Sequence, residues 1–371
     1  MIDHDEFSAW LRLLETPGVG RDSARALLGR FGSPEAAIGA STVSRQAVVG
    51  LAAAEALAKV PDAFAARLDA GWRWLEGGTH VAPRDVVVLG DPRYPPALFE
   101  AADPPLLLYV HGRIELLARP SIAIVGSRNA TPQGLENARA FGEHLSRAGW
   151  VVVSGLALGI DGAAHEGALQ GGAGTIAVVG TGLDRVYPAR HRALARRIAE
   201  AGLLVSELSI GTPALPPHFP VRNRIIAGLS RGTLVVEAAV QSGSLITARL
   251  ASEAGRDVFA IPGSIHSPQA RGCHALIKQG AKLVDAAADI VDELGPREPA
   301  RVPAAADEPA TGRTPADPVL DALGFDPAGL DELIARTGQS AAELSARLLD
   351  LELLGRVARL PGQLFQRIDR A

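Results

Sequence analysis

Six short apolar segments alternate with amphipathic helical patterns in the middle of the chain, and this alternation restricts the possible fold more than any other feature. Helical patterns such as Pro132–Ala148 and Ala189–Ala201 lie between the segments. Continuous apolar strands separated by helices are typical of a parallel sheet with helices on both faces. The pattern therefore predicts an α/β fold with a Rossmann-like, doubly wound parallel sheet. The six segments, in chain order, are Ile122–Val125, Val151–Val153, Thr175–Val179, Leu203–Ser206, Thr233–Val236 and Val258–Ile261.

The chain of 371 residues divides into four parts by pattern. Residues 1–78 contain short helical patterns, and residues 79–294 contain the predicted sheet. Residues 295–318 are rich in Pro and Ala and have no hydrophobic period, which indicates a flexible, partly extended linker. Residues 319–371 contain three helical patterns and then two apolar runs around Pro361-Gly362, which predict a hairpin. Three helices and a hairpin are the elements of a winged-helix domain.

A Gly-rich turn, Pro17-Gly18-Val19-Gly20, separates two helical patterns near the start of the chain. This arrangement resembles a helix-hairpin-helix motif in a SAM-like helical domain. In that motif, backbone N–H groups at a helix start can hold a phosphate, and Arg21 and Arg25 would lie beside it. A plain helical turn in a small bundle is the alternative interpretation.

The charge of the chain is unevenly distributed. The net charge is −4, but residues 120–285 carry 16 Lys/Arg against 11 Asp/Glu. The flanking parts are acidic, with 12 against 15 in residues 1–119 and 9 against 15 in residues 286–371. The distribution predicts a local anion site in the middle of the chain rather than a basic surface over the whole protein.

Several classes of protein and site are excluded by what the sequence lacks. Cys273 is the single cysteine, so an intrachain disulfide and a Cys-rich zinc site are impossible. The acidic start MIDHDEF has no apolar region of a secretory signal. No apolar run reaches about 18 residues, the length that a membrane span needs. We therefore expect a cytoplasmic protein without membrane association.

Glycine and serine follow the predicted strands at the edge where doubly wound sheets bind their ligands. Backbone N–H groups in such turns, together with helix dipoles, favour an anion. The guanidinium of Arg128 is suited to phosphate. One such loop would usually be only a tight turn, but four in one sheet predict a phosphate-bearing ligand. The four loops are Gly126-Ser127-Arg128, Ser154-Gly155, Gly180-Thr181-Gly182 and Ser242-Gly243-Ser244.

The first of these loops matches neither of two well-known nucleotide motifs. It is not GxGxxG, and no acid about 20 residues on could hold a ribose, which argues against a dinucleotide cofactor. It is not GxxxxGK[ST], which argues against a P-loop ATPase. We therefore expect no cofactor.

The segment His218–Ser230 combines cations, an amide and an aromatic residue at a predicted helix start. Arg222, Asn223 and Arg224 enter the helix together. Arginines two positions apart point in different directions, so one can face a ligand while the other braces a loop. Phe219 could stack a nucleobase, although a core position is the commoner fate of an aromatic residue.

Other polar residues do not assemble into a catalytic or metal site by sequence. Asp161 and His165 have the i, i+4 spacing of a metal pair, but no third ligand is evident, and Asp161 is better explained as a helix N-cap. Glu207 and Glu237 follow strands without a matched acid or base partner. Lys278, near the last strand, would widen the basic surface. We predict no catalytic residue and no metal.

The segments, taken in order, resemble the DNA-processing protein A family (DprA/Smf). The helical front part and the winged-helix end also match the three-part layout of that family. The resemblance is strongest from Ile122 to Leu294. The strings that carry it are IAIVGSR, SGLALGIDGAAHEGAL, GTGLDRVYP, HFPVRNRIIAGLS, VVEAAVQSGSLITARLASEAGRDVFAIPG and HALIKQGA.

The resemblance implies a non-enzymatic protein of DNA uptake and recombination. Such proteins bind single-stranded DNA, shield it from nucleases and help to load the RecA recombinase during natural transformation of competent cells. They form homodimers through the Rossmann-like domain. By matching motif, the residues expected to face DNA are Gly126, Ser127, Arg128, Ser154, Gly155, Arg222, Asn223, Arg224, Ser242, Ser244 and Lys278, and Phe219 is added as the stacking candidate.

Two positions depart from the family pattern, and one related enzyme class remains an alternative. His191 and His274 stand where the family usually has Asn, and both keep a hydrogen-bonding side chain. Phosphoribohydrolases similar to the cytokinin-activating type share this Rossmann variety and carry a catalytic glutamate in a PGGxGTxxE loop. The corresponding stretch here, Ser242–Ala248, has no glutamate after it. A nucleotide-cleaving enzyme is therefore the second hypothesis.

The predicted recognition helix of the winged-helix domain has an unusual composition for a DNA reader. In residues 340–354, Arg347 is the only cation, against Glu343, Asp350 and Glu352. The segment has six leucines, more than one buried stripe needs. We predict that this domain contacts protein and leaves DNA to the sheet. The alternative is that all six leucines pack inside the small domain.

Overall fold

The computed structural model describes residues 2–295 and 317–368. Most of the predicted linker, residues 296–316, lies outside the described residues. The helices and strands fall into an N-terminal helical part, a central α/β part and a C-terminal part with its own small sheet.

The N-terminal part is a bundle of short helices that packs on one end of the central sheet. Phe7, Leu11 and Leu13 are fully buried and belong to one apolar cluster with Trp74 and Tyr109. The apolar face of the first helix therefore finds its partners in the last helix of the bundle and in the sheet. The helices are α1 (His4–Glu15), α2 (Arg21–Phe31), α3 (Pro34–Gly39), α4 (Thr42–Val49), α5 (Leu51–Ala58) and α6 (Phe64–Glu76).

The Gly-rich turn between α1 and α2 is a docking point for the central part. Arg21 and Arg25 each lie 2.7 Å from a carboxylate oxygen of Asp103. Val19 is buried in the apolar cluster. Since both cations are already paired with an acid, the structure favours the plain helical turn over the phosphate-holding interpretation.

The central sheet has nine strands in the order β1-β2-β6-β5-β4-β3-β7-β8-β9. The pairs from β6 to β9 are parallel, whereas β1–β2 and β2–β6 are antiparallel. The mostly parallel sheet confirms the predicted fold class. The strands are β1 (Arg84–Val88), β2 (Leu107–Gly112), β3 (Ser121–Val125), β4 (Val151–Ser154), β5 (Thr175–Val178), β6 (Leu203–Ser206), β7 (Gly232–Val235), β8 (Asp257–Ala260) and β9 (Lys282–Leu283).

Helices cover both faces of this sheet. One face packs against α8, α9 and α14, and the other against α7, α11, α12 and α13. Apolar residues of α10 belong to the same buried cluster as the N-terminal helices and part of the sheet, so α10 joins the two. The helices are α7 (Pro96–Phe99), α8 (Pro132–Arg147), α9 (Ile160–Gly171), α10 (Arg192–Ala201), α11 (His218–Leu229), α12 (Ser244–Glu253), α13 (Arg271–Lys278) and α14 (Ala287–Leu294), with 3₁₀ turns at Ile114–Ala118 and Ala189–His191.

The C-terminal part has the order helix, strand, helix, helix and hairpin, which confirms the winged helix. The recognition helix buries Leu344, Leu348 and Leu351 and exposes Leu349 and Leu353. The alternative in which every leucine packs inside the domain is therefore wrong. The elements are α15 (Pro318–Leu323), β10 (Ala328–Gly329), α16 (Leu330–Thr337), α17 (Ala341–Leu353), β11 (Val357–Leu360) and β12 (Leu364–Arg367).

Within residues 2–295 and 317–368, no helix has both the length and the apolar character that crossing a bilayer would require.

Helices α8 and α9 approach each other backbone to backbone, and glycine makes this possible. A Cβ added at Gly167 would lie closer than 3.0 Å to the carbonyl group of Arg139, and one at Gly142 would lie 2.6 Å from the carbonyl oxygen of Ala164. The neighbours are backbone atoms, so they cannot move aside as a flexible side chain would. The contact places α9, which begins at the edge of the sheet where the candidate ligand loops lie.

We expect Gly167→Ala to destabilise the protein by roughly 1–3 kcal/mol, because the added methyl group overpacks the α8–α9 contact. The matched control is Gly29→Ala in α2, where a Cβ meets nothing within 4 Å. That change should stabilise the helix by about 0.4–1 kcal/mol. Urea unfolding followed by circular dichroism measures both. Equal effects of the two substitutions would contradict the close packing.

Candidate nucleic-acid interface

A groove of about 630 Å³ lies at the carboxyl ends of the parallel strands, between the loops after β3, β4 and β7 and the start of α11. Its polar and aromatic lining brings together eight of the predicted residues. These are Gly126, Ser127, Arg128, Phe219, Arg222, Asn223, Ser242 and Ser244. The lining also contains residues that the sequence analysis did not select, among them Asn129, Tyr187, Gln241 and Gln269.

Backbone hydrogen bonds fix the groove loops to one another. The N–H of Ser127 donates to the carbonyl oxygen of Glu237 at 2.7 Å, which joins the loops after β3 and β7. The carbonyl oxygen of Ser127 accepts from the N–H of Ile160 at 3.2 Å, which joins the β3 loop to the start of α9. Gly159 has a φ of +79°, and a side chain there would collide with the β3 loop. The three loops therefore form one rigid edge.

Glu237 holds the start of α8 and is not among the residues that line the groove. Its carboxylate accepts from the backbone N–H of Thr131 at 2.9 Å and from the Thr131 hydroxyl at 2.6 Å. Burial raises the pKa of this carboxyl group, and the two hydrogen bonds from Thr131 act in the opposite direction. A capping role accounts for a carboxylate at this strand end without catalysis.

Arg222 is buried, and its guanidinium is directed at carbonyl groups. It donates to the carbonyl oxygen of Gly155 at 2.5 Å and to that of Val178, and its Nε donates to the Asn223 side chain at 3.0 Å. Burial lowers the pKa of Arg222 to about 10, so the group remains charged at neutral pH. Arg222 lines the groove, where it braces the loops and adds positive potential. Its direct phosphate contact stays a prediction.

Asp161 is buried beside Arg222, in the first turn of α9. Its carboxylate accepts from the backbone N–H groups of Gly155 at 3.1 Å and Ala157 at 3.3 Å. The N-cap of α9 is Gly159, so the expectation that Asp161 is the N-cap was wrong. Asp161 instead holds the loop after β4. Burial raises its pKa, and the charge of Arg222 opposes this.

Two other predicted DNA contacts also have structural roles. The hydroxyl of Ser154 is fully buried and donates to the carbonyl oxygen of Ile124 at 2.6 Å. A Cβ at Gly155 would overlap the guanidinium of Arg222, so the glycine makes room for that side chain. Both residues therefore shape the groove from behind and do not line it.

Arg224 points away from the groove, toward the N-terminal helices. It forms ion pairs with Glu207 and with Asp103, the latter at 3.2 Å. Its side chain is only 13% exposed. The structure therefore argues against the predicted phosphate contact of Arg224. Lys278 is exposed at the end of α13 and does not line the groove, and its DNA contact stays a prediction.

Arg128, Phe219 and Tyr187 form a short stack at the mouth of the groove. The guanidinium carbon of Arg128 lies 5.5 Å from the centre of the Phe219 ring. The Phe219 and Tyr187 rings have centroids 5.5 Å apart and are tilted by 36°. Tyr187 is 51% exposed. We call these three residues the aromatic stack. They offer a cation and two π faces to a ligand.

Asn223, Ser242 and Ser244 complete the polar wall where α12 begins. The Asn223 amide donates to the carbonyl oxygen of Gly243 at 3.4 Å, and the two serine hydroxyls are 2.7 Å apart. The start of α12 at Ser244 has no side-chain cap. A helix N-terminus of this kind favours an anion. Asp161 is the only acidic side chain that lines the groove as the structure describes it.

Among residues 2–295 and 317–368, no group of three or more His, Cys, Asp or Glu side chains is placed to hold a metal ion. The Asp161–His165 pair is explained otherwise, because each side chain has its own partner within the fold.

Two family models match the chain. One, described as DNA recombination-mediator protein A, matches residues 85–295, and one for the DprA winged helix domain matches residues 298–363. The chain belongs to the DNA recombination-mediator protein A family. This DprA/Smf family is one of DNA-processing proteins that mediate recombination.

Named relatives agree with this assignment. Protein Smf of Escherichia coli is 42% identical over 306 residues, which cover 80% of this chain and 80% of that protein. The structure of DprA from Streptococcus pneumoniae superposes with a TM-score of 0.68 at 38% identity, covering 77% of this chain and 97% of that one. DprA from Helicobacter pylori gives a TM-score of 0.52 at 30% identity, covering 57% and 95%, and its structure concerns a single-stranded DNA binding mode.

His191 and His274, the two positions expected to depart from the family pattern, both make hydrogen bonds to backbone carbonyl groups. His191 donates from Nδ1 to the carbonyl oxygen of Leu156 at 3.0 Å. Leu156 has a φ of +58°, so this bond supports a residue in a left-handed conformation. His274 donates from Nε2 to the carbonyl oxygen of Gly263 at 2.9 Å. Imidazole thus supplies a donor at both positions.

His165 is buried in the neutral form, and its surroundings define the tautomer. The Thr175 hydroxyl donates to the carbonyl oxygen of Val152, so it accepts from His165 Nδ1–H at 2.7 Å. The other nitrogen, Nε2, is buried and has no hydrogen-bond partner in the described part of the chain. A second proton there would be unpaired. Burial accordingly lowers the pKa of His165 to about 3.

We expect the free energy of unfolding to fall as the pH is lowered from 7 to 5. In the unfolded chain a histidine has a pKa of about 6.5, so between about pH 3 and 6.5 the unfolded state binds more protons than the native state. Stability is therefore fully present above this window and is lost as the pH falls through it. His165 alone should contribute about 1–2 kcal/mol of this loss.

The matched variant is His165→Asn, which keeps a donor for Thr175 and removes the titrating group. It should show a shallower pH dependence in urea unfolding at pH 7, 6 and 5. Parallel pH profiles for the variant and the wild type would contradict a neutral, buried His165.

Proposed function

We propose that this chain binds single-stranded DNA in the groove and acts there without catalysis. The observation that carries the proposal is the aromatic stack, in which a cation and two rings lie beside a wall of serine and asparagine. Stacked bases and a basic contact for the backbone are the common means of binding single strands. The proposal is supported by the Helicobacter pylori relative, whose structure concerns a single-stranded DNA binding mode.

The groove offers different partners to the two components of the strand. Arg128, which is exposed, and the start of α12 suit a phosphate. The rings of Phe219 and Tyr187 suit nucleobases, which all present a π face. Arg222 is held by carbonyl groups, so it contributes to the local potential without moving. This arrangement favours a strand with unpaired bases over a closed duplex.

We further propose the finer role that family membership suggests. The chain would protect incoming DNA, help to load the RecA recombinase, form a homodimer and act in the cytoplasm. We also propose the division into 1–78, 79–294, a linker at 295–318 and 319–371. The adjoining family-model matches support the boundary near residue 295.

Arg128→Ala should weaken binding of a labelled single strand and reduce its salt dependence. If Arg128 contacts one phosphate, the slope of log affinity against log salt should become less steep by about 0.7. Fluorescence anisotropy with an oligothymidylate at several salt concentrations measures the slope.

Two variants with the same loss of charge serve as controls. Arg147→Ala removes an exposed arginine at the far end of α8, and Arg224→Ala removes the arginine that faces the N-terminal helices. Both should leave the salt slope unchanged. An unchanged slope for Arg128→Ala, or a reduced slope for Arg224→Ala, would contradict the assignment of the phosphate contact.

Tyr187→Leu should weaken binding without changing the salt slope, because it removes stacking and leaves the charges intact. Loss of one stacked base typically costs about 1–3 kcal/mol. The same titration tests this. Wild-type affinity in this variant would show that the stack does not contact DNA, even if Arg128 does.

A further inference from the structure

Helix α17 has apolar residues on two opposite sides. Leu344, Leu348 and Leu351 face the core of the winged helix and are almost completely buried. On the other side, Leu349 is 55% and Leu353 is 79% exposed. These two leucines are the large members of an exposed apolar stripe that continues through Ala342 and Ala346. The described part of the chain leaves this stripe uncovered.

The spacing of the stripe is that of a coiled-coil seam. Its members, Ala342, Ala346, Leu349 and Leu353, are separated by four, three and four residues. Steps that alternate between four and three residues are those of the a and d positions of a heptad, and apolar residues at these positions form a seam that packs against a second helix. Only the inner stripe is used within the domain. The outer stripe is therefore suited to a helix that the domain itself does not provide. We call it the outer seam.

The residues that flank the outer seam are acidic. Glu343 and Asp350 lie on one side of it, and Glu352 lies on the other. The single arginine of the helix, Arg347, is directed away to Asp317 at 2.5 Å and reaches Asp350 only at 3.8 Å. In heptad terms the flanking positions are those that select the partner by charge.

This charge pattern disfavours two occupants. A nucleic acid would bring phosphates against Asp350 and Glu352 on the helix that ordinarily reads DNA in a winged helix. A second copy of α17 would place the same acids opposite one another, and like charges at flanking positions repel. The remaining occupant that matches both stripe and flanks is a helix of another polypeptide with apolar heptad positions and basic flanks.

We propose that the outer seam of α17 is a docking site for an amphipathic helix of a partner protein, with leucine-like residues at heptad spacing and Lys or Arg beside them. The site is separate from the groove. The helix that contacts DNA in other winged-helix domains would here bind a basic helix of another protein. The inference does not depend on DNA binding by the central sheet.

The probe is a labelled peptide of three heptads with Leu at the a and d positions and Lys at the e and g positions. Its lysines prevent the peptide from pairing with itself. A scrambled peptide of the same composition serves as the control for charge. Anisotropy with the full chain should show binding in the micromolar range for the heptad peptide and at least tenfold weaker binding for the scrambled one.

Two sets of variants separate the seam from its flanks. Leu349→Gln with Leu353→Gln should weaken peptide binding at least tenfold, whereas Val43→Gln, an equally exposed apolar position in α4, should not. Asp350→Lys with Glu352→Lys should reverse the preference, so that a peptide with Glu at the e and g positions binds instead. All these positions are exposed, so circular dichroism should show an unchanged fold.

Three results would overturn the proposal. The first is equal binding of the heptad and scrambled peptides, or no binding of either peptide at protein concentrations up to about 100 μM. The second is wild-type peptide affinity in the Leu349→Gln, Leu353→Gln protein. The third is a loss of single-stranded DNA affinity or of self-association in that protein, because either loss would assign the seam to DNA or to a second copy of the chain.

Discussion

The buried guanidinium of Arg222 is the contact on which the geometry of the groove depends. A charged group without water must be paired or fully hydrogen-bonded. Here its acceptors are backbone carbonyl oxygens of Gly155 and Val178, at the ends of two central strands, and the side chain of Asn223. Asp161 accepts the N–H groups of the same loop from the other side. The loops are therefore in place before a ligand arrives, which lowers the ordering cost of binding.

Helix α11 also connects the groove to the N-terminal helices. Arg222 and Arg224 lie two residues apart and so face opposite ways, the first to the sheet edge and the second to Asp103 and Glu207. Asp103 also pairs with Arg21 of the N-terminal helices. A cavity of about 360 Å³ between these parts is lined by both Arg21 and Arg222. One helix thus ties the N-terminal bundle to the floor of the groove.

The periodicity of the sequence was sufficient to predict the six parallel strands β3 to β8, because each contains a short apolar run that is mostly buried in the sheet. It missed three strands at the two sides of the sheet. In β1 the run begins with Arg84 and Asp85, β2 includes His111 and Gly112, and β9 is only two residues long. Edge and antiparallel strands need not be apolar throughout, so composition marks them weakly.

The loops of the groove were also predictable, but the roles of individual side chains were not. Gly-rich turns after strands identify a ligand edge by topology alone. Whether an arginine there meets solvent or a carbonyl group depends on depth, which sequence spacing does not contain. Arg222 and Arg224 were therefore expected to contact phosphate, and Tyr187 was not selected. The feature that could have indicated Tyr187 is its position just before Pro188 and shortly after the glycine loop Gly180-Thr181-Gly182.

The formal charge of the central part also overstates how many cations are accessible to a polyanion. Residues 120–285 have 16 Lys/Arg against 11 Asp/Glu, yet Arg224 is paired with acids inside the fold and Arg222 is held by carbonyl groups.

The described winged helix, residues 317–368, has five Lys/Arg against eight Asp/Glu. Its repulsion of phosphates is screened beyond about 8–10 Å, so it acts only on DNA that approaches the domain itself. Under the proposed function, local contacts in the groove, rather than the field of the whole protein, would determine where a strand binds. The acidic domain would then be free to meet a partner of opposite charge while the groove is occupied.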